Sequence, residues 1–149
     1  MYVDALGLVS DAQAFTAVAV STNSIDIGNL TAALQRQIGT GEPCGFAFAV
    51  DVAASATTVK LEVIMATDAA LTAGIIVLVE ETRLAADLPA GGLLFLAIPP
   101  GAPAAGFLRY IGIRATPVGG AATVTLTSWF TAHALFSVLA KAYAKSYAV

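Results

Sequence analysis

His133 and Cys44 are the scarcest reactive groups of the chain, one of each in 149 residues. One histidine with one cysteine cannot complete a zinc ligand set, and neither CxxC nor HExxH spacing occurs. A Cys44–His133 nucleophilic dyad would have to form in space rather than in sequence. Cys44 lies between Pro43 and Gly45 at the mouth of an apolar segment and reads as a small buried residue. The glycine-rich stretch from Gly39 to Gly45 superficially resembles a phosphate loop. It lacks the Lys-Ser/Thr pair and the GxGxxG spacing, and the segment after it is strand-like, so no helix N-terminus would hold a phosphate. It reads as a turn, with Pro43 setting the start of the next strand.

Carboxylate pairs are the remaining chemistry, since glycoside hydrolysis needs only two. Glu80 and Glu81 are neighbours, and on a strand neighbours point to opposite faces. Asp26, Asp51 and Asp68 fall near strand ends, as solvated turn acids do, and a calcium site at Asp51 and Asp68 has no loop signature. The chain therefore reads as not an enzyme, with no catalytic, metal or cofactor-binding residue. A small hydrolase using Cys44 or paired acids is the competing reading.

The elements that must carry these residues are set by an unusual composition. Apolar residues make up 58% and charged residues 11%, against about 25% charged in an ordinary domain. So little surface charge implies a surface covered by copies of the chain or by a partner. The longest apolar runs, AALTAGIIVLV and GGLLFLAI, fall short of the roughly 18 residues of a spanning helix, so no membrane is expected as partner. Asp4 and Asp11 argue against a secretory signal, and a lone cysteine is consistent with assembly in a reducing cytoplasm.

All ten acids lie between Asp4 and Asp87, whereas Arg109, Arg114, Lys141 and Lys145 occupy an acid-free second half. Either the sheet topology mixes these halves or a basic C-terminal region faces an acidic partner. Four dispersed cations are too few to track a phosphate backbone, so nucleic acid is not an expected partner.

Strand periodicity dominates. From Thr57 to Ala66, Val59, Leu61, Val63 and Met65 alternate with Thr58, Lys60, Glu62 and Ile64. From Ala121 to Thr131, Val124, Leu126, Ser128 and Phe130 oppose Thr123, Thr125, Thr127, Trp129 and Thr131, the threonine side facing solvent. Further strands are expected at Thr16–Val20, Asn23–Ile27, Phe46–Asp51, Ile75–Val79, Leu93–Ile98 and Phe107–Arg114, separated by Gly/Pro turns. These predict an all-β fold, an eight-stranded antiparallel jelly-roll sandwich over residues 16–131. Residues 1–15 are expected to form an N-terminal arm. Leu30–Gln37 fits a short helix or a loop. Residues 132–149 form a C-terminal helical or extended arm, with Phe136, Leu139, Ala140, Tyr143 and Tyr147 on one stripe at helical spacing. That arm packs on its own sandwich or on a neighbouring subunit.

Three segments near the start, LVSDAQAF (8–15), STNSIDIG (21–28) and IGTGEP (38–43), resemble the SDAQ, STNxIDLG and IGxGEP pattern of the capsid cement proteins of tailed bacteriophages. Further on, ATDAA (66–70), LAIPPG (96–101) and FLRY (107–110) are similar to that family's TSDDAA, LPLPPG and YLRL elements. The likeness runs in order from Leu8 to Thr131 and departs from the family in the aromatic tail that continues to Val149. It implies a jelly-roll subunit, made in the bacterial host cytoplasm, that forms a homodimer or homotrimer. The subunit would bind the outer surface of a phage head, tying major capsid protein subunits together without enzyme activity or cofactor.

On that implication the expected subunit or capsid contacts are Tyr2, Leu6, Leu8, Phe15, Phe136, Leu139, Tyr143 and Tyr147. The alternative is a carbohydrate-binding jelly-roll module. It would need an exposed aromatic platform, for which Trp129 on the threonine face is the candidate.

Overall fold

Val59, Leu61, Val63 and Met65 alternate along the strand Thr58–Ala66, and all four are fully buried, as a period of two over one core face requires. The computed structural model describes residues 7–28, 43–100, 108–120 and 122–137. Among them nine strands run in the order β1 (Leu8–Phe15), β2 (Ala19–Val20), β3 (Ile25–Asp26), β4 (Cys44–Val52), β5 (Thr58–Ala66), β6 (Ile76–Leu84), β7 (Leu93–Ala97), β8 (Tyr110–Val118) and β9 (Val124–Ala132). A 3-10 turn, Ala85–Asp87, follows β6, and residues 133–137 are helical after β9. No helix among the described residues is long and apolar enough to cross a membrane.

All pairings are antiparallel and form two sheets. Sheet A has the order β1-β9-β4-β7; sheet B has β2-β8-β5-β6, with β3 also on β8. β2 pairs with Ala115 and Arg114 and β3 with Ile111 and Tyr110, so the two lie along the same side of β8 as halves of one broken strand. Counted so, the sheets read first-eighth-third-sixth and second-seventh-fourth-fifth, the paired Greek keys of a jelly roll.

The layers meet over Phe15, Phe46, Phe48, Leu61, Met65, Ile113 and Leu126, all buried. Each such side chain contributes about 1.5–3 kcal/mol by leaving water. β4 shows how the sequence chooses its faces: Phe46 and Phe48 enter the core while Ala47 and Ala49 point to the outside of sheet A. Gly45, at the start of β4, permits the close approach of β7, since a Cβ there would lie 2.0 Å from the Leu96 carbonyl oxygen.

Two boundaries differ from expectation. Leu8–Phe15 is the first strand of the sandwich rather than part of an arm, and the domain begins within the 1–15 segment. Its alternation is hidden by two bulges, one between Leu8 and Ser10 and one between Ser10 and Gln13, which put Val9 and Ser10 both in the interior. The second is at the C-terminal side, where β9 ends at Ala132, one residue beyond the expected limit, and residues 133–137 take the helical one of the two forms expected of the tail. Leu30–Gln37 and residues 138–149 lie outside the described residues.

Candidate interaction surface

A row of outward side chains crosses all four strands of sheet A: Leu8 on β1 is opposite Trp129 on β9, Trp129 opposite Ala47 on β4, and Ala47 opposite Phe95 on β7. The alanines of β4 leave room for the indole to lie across them, and Leu93 and Phe136 complete the cluster. Phe136, on the helical turn, stacks on Phe95 with ring centroids 5.2 Å apart, and His133 tilts against the same ring, also at 5.2 Å. The turn thus covers part of an apolar outer face, while Leu135 beside it is exposed.

Trp129 is only 4% exposed under this cover, a correction to the solvent side expected from the threonines that flank it. A threonine-rich strand face still becomes interior when its neighbours across the sheet are apolar and an element packs over them. Trp129 therefore cannot serve as an exposed platform for a sugar ring.

The outer face of sheet B is built differently. Glu62 on β5 is opposite Arg114 on β8 and Glu80 on β6. Two acids facing each other across strands repel, and Lys60 is placed between them, 3.0 Å from Glu62 and 2.7 Å from Glu80. Arg114 grips Glu62 with two N–H groups, and this bonding, with a lesser share from Lys60, holds the Glu62 carboxyl below its ordinary value against the opposing effect of burial. Glu62 is 2% exposed and was not among the acids singled out from the sequence. Its position shows in the pattern, since Ile64 and Ala66 on the same face are also buried and place the middle of β5 inside on both sides.

The acids singled out from the sequence have structural tasks. Asp26 accepts two-pronged bonding from Arg109 and a bond from the Gly28 N–H, which together lower its pKa. Asp68 accepts from the Thr72 hydroxyl and the Ala73 and Thr72 N–H groups and is lowered likewise, closing the loop between β5 and β6. Asp51 accepts from the Thr127 hydroxyl. Glu80 and Glu81 do point to opposite sides, Glu80 to Lys60 and Glu81 to Arg83. Of the four cations in the acid-free half, Arg109 and Arg114 meet Asp26 and Glu62 from the acidic half, and Lys141 and Lys145 lie outside the described residues.

Cys44 and His133 come near one another through the backbone, His133 N–H donating to Pro43 O. Their side chains diverge. His133 lies on Phe95 outside sheet A, whereas Cys44 has the strand parity of core-facing Phe46 and Phe48. Among the described residues no three His, Cys, Asp or Glu side chains gather as a metal site would require.

Of the expected contact residues, Leu8 is half-buried in the outer row and Phe136 is stacked on Phe95. Phe15 is a correction: it is fully buried between the sheets, because β1 is a core strand, and no partner can touch it. Tyr2, Leu6, Leu139, Tyr143 and Tyr147 lie outside the described residues.

Polar residues of LVSDAQAF (8–15) and STNSIDIG (21–28) hold joints of the fold. Ser10 and Ser128, both buried, share a hydrogen bond of 2.6 Å between β1 and β9. The Gln13 amide donates to Val20 O and accepts from Thr22 N–H, tying β1 to the strand that follows. Ser21 accepts from Ile113 N–H, and Ser24 donates to Ala69 O.

Among known families, the model named Bbp16 matches residues 9–131. No curated protein shows a significant match to the chain.

Proposed function

The chain belongs to the Bbp16 family, and we propose that this member is a structural virion protein, a capsid cement protein that binds the outside of a phage head as a homo-oligomer. The observation that carries this reading is the ordered set of segments resembling cement proteins, from LVSDAQAF to FLRY. In the described residues these segments serve as joints of the jelly roll, so a chain retaining them retains the subunit architecture that such a protein needs.

Surface chemistry supports the same reading. Val18, Val52, Leu84, Val118 and Leu135 are each more than half exposed, and such side chains are cheaper to desolvate than Lys or Glu. A cement protein repeats one modest contact many times over a shell, so weak individual interfaces sum to tight retention. Its partners on this reading are further copies of itself and the major capsid protein.

The test is binding to expanded heads prepared without this protein. Saturable binding that raises their resistance to heat and osmotic shock is expected. Absence of binding, with equal resistance in both preparations, overturns the proposal.

A further inference from the structure

Four borders limit the two sheets, and three of them carry features that oppose a further strand. β1 has two bulges, a left-handed Ala12 (φ 43°) and an exposed Asp11. β2 and β3 offer ladders of two residues each. β6 carries Glu80, Glu81 and Arg83. Bulges, short strands and edge charges are all means by which sheets avoid pairing with another chain. β7 has none of them. Its Leu-Leu-Phe-Leu-Ala run pairs with β4 without a register shift, and residues 88–108 contain no charged residue and no histidine.

The direction of its free backbone groups follows from two bonds. Ile98 N–H donates to Cys44 O, and Gly92 O accepts from Val50 N–H, so Ile98 and Gly92 face β4. Bonding direction alternates along an antiparallel strand, so Leu94 and Leu96 face β4 as well. Leu93, Phe95 and Ala97 therefore present their N–H and C=O groups to the open side, where no strand pairs with β7 among the described residues.

We propose that this edge pairs with β7 of a second copy of the chain, antiparallel about a two-fold axis at Phe95. The edge is self-complementary in that register: Leu93 meets Ala97 of the second copy, Phe95 meets Phe95, and Ala97 meets Leu93. Each is a pair of outward-bonding residues able to exchange two hydrogen bonds. A two-fold contact of identical surfaces closes on itself and is the commonest arrangement among homo-oligomers. It joins two copies of sheet A into one continuous sheet. The two Phe95 rings then lie side by side on its outer face, each already stacked on its own Phe136. The inference rests on the homo-oligomer of the proposed function and names the surface by which copies meet.

Sedimentation equilibrium of the full chain reads the result. A dimer is expected for the wild type. Ala97→Pro, which removes an outward N–H not used inside the subunit, and Phe95→Lys, which sets two ammonium groups at the axis, are each expected to yield monomers. Val52→Lys, at an exposed apolar residue elsewhere, is expected to remain a dimer. Should the first two variants fail to fold, Phe95→Cys in a Cys44→Ser chain provides the second measurement. Facing Cα atoms in such a pair are about 5.5 Å apart, within disulfide reach, so oxidation is expected to give covalent dimers, whereas Ala97→Cys is expected to give none.

A wild type that stays monomeric overturns the inference. So does a folded Ala97→Pro chain whose dimer Kd stays within about threefold of wild type, or equal cross-linking at residues 95 and 97. Head binding is scored separately: heads bound by copies that meet elsewhere sink this inference alone, and paired copies that ignore heads sink only the proposed function.

Discussion

The Glu62 carboxylate on β5 and the Arg114 guanidinium on β8 meet in a two-point contact, Nε to Oε2 at 2.6 Å and Nη2 to Oε1 at 2.9 Å. The acid is almost wholly buried and the arginine about one-quarter exposed. Removing one partner leaves a charge without its main counterpart in a site shielded from water. Arg114→Ala is expected to cost about 3 kcal/mol, measured by urea unfolding. Replacing both, as Glu62→Leu with Arg114→Met, is expected to recover most of that loss, because the desolvation of both ions disappears with them.

Acid stability follows from the same pair. The folded-state pKa of Glu62 is lowered from 4.5, chiefly by the Arg114 hydrogen bonds, so the unfolded chain takes up its proton first as pH falls. Its contribution is complete above the ordinary glutamate range and is lost as pH drops from there through the lowered value. Asp26 and Asp68, also lowered, act with the same sign. Urea midpoints taken from pH 7 down to pH 3 are expected to fall for the wild type. In Glu62→Gln the decline is expected to be shallower from a lower starting point.

Gly45→Ala and Gly112→Ala separate two kinds of crowding. At Gly45 the new methyl would meet the Leu96 carbonyl oxygen, which belongs to a paired strand and cannot move alone. At Gly112 it would meet the ends of the Leu71 and Ser21 side chains, at 2.5 and 2.8 Å. Thermal melts are expected to show a loss at Gly45 of about 3 kcal/mol or more, at the upper end for overpacked sites, and a smaller one at Gly112.

Phe15→Ala tests whether β1 belongs to the core. Full burial of Phe15 predicts a destabilisation of about 3–5 kcal/mol. Val18→Ser, three residues on at a position 63% exposed, is expected to stay within about 0.5 kcal/mol of wild type. Equal effects at both positions would return Leu8–Phe15 to the status of an arm.

Trp129 is the sole tryptophan and reports on the cover of sheet A. Phe136→Ala removes the ring stacked on Phe95 in the same cluster. The Trp129 emission is expected to shift to the red and acrylamide quenching to increase, with the far-UV spectrum of the sandwich unchanged. Unaltered quenching would mean that residues 133–137 do not shield the indole.

Much of this architecture was legible because β5 and β9 alternate cleanly and Gly/Pro turns mark their ends. β1 was not, because its two bulges break the period that identifies a strand. β6 extends beyond Val79 into Glu80–Leu84, residues that look like a turn yet suit an edge. β8 continues through Pro117, where a strand was expected to have ended. Ile113 O accepts from Ser21 N–H, so alternate residues of β8 face β2, and Pro117 lies on that side beyond Ala115, where β2 has ended. A proline there forfeits no ladder bond. The outer row of sheet A was half visible in the Phe-Ala-Phe-Ala alternation of β4. The gathering of Trp129 and Phe95 in one cluster across β4 depends on strand order, which local periodicity does not encode.

The pairing of β1 with β9 has a consequence for how the protein is made. β9 lies between β1 and β4, and Ser10 waits for a partner 118 residues away. During synthesis β1 has no strand to join and β4 keeps an open border until β9 has left the ribosome. Folds dominated by such distant pairings form slowly and stay prone to mispairing in the interval. A chain interrupted before Val124 would present an apolar, unclosed sheet, so completion of β9 acts as a checkpoint between a closed sandwich and a chain prone to aggregate.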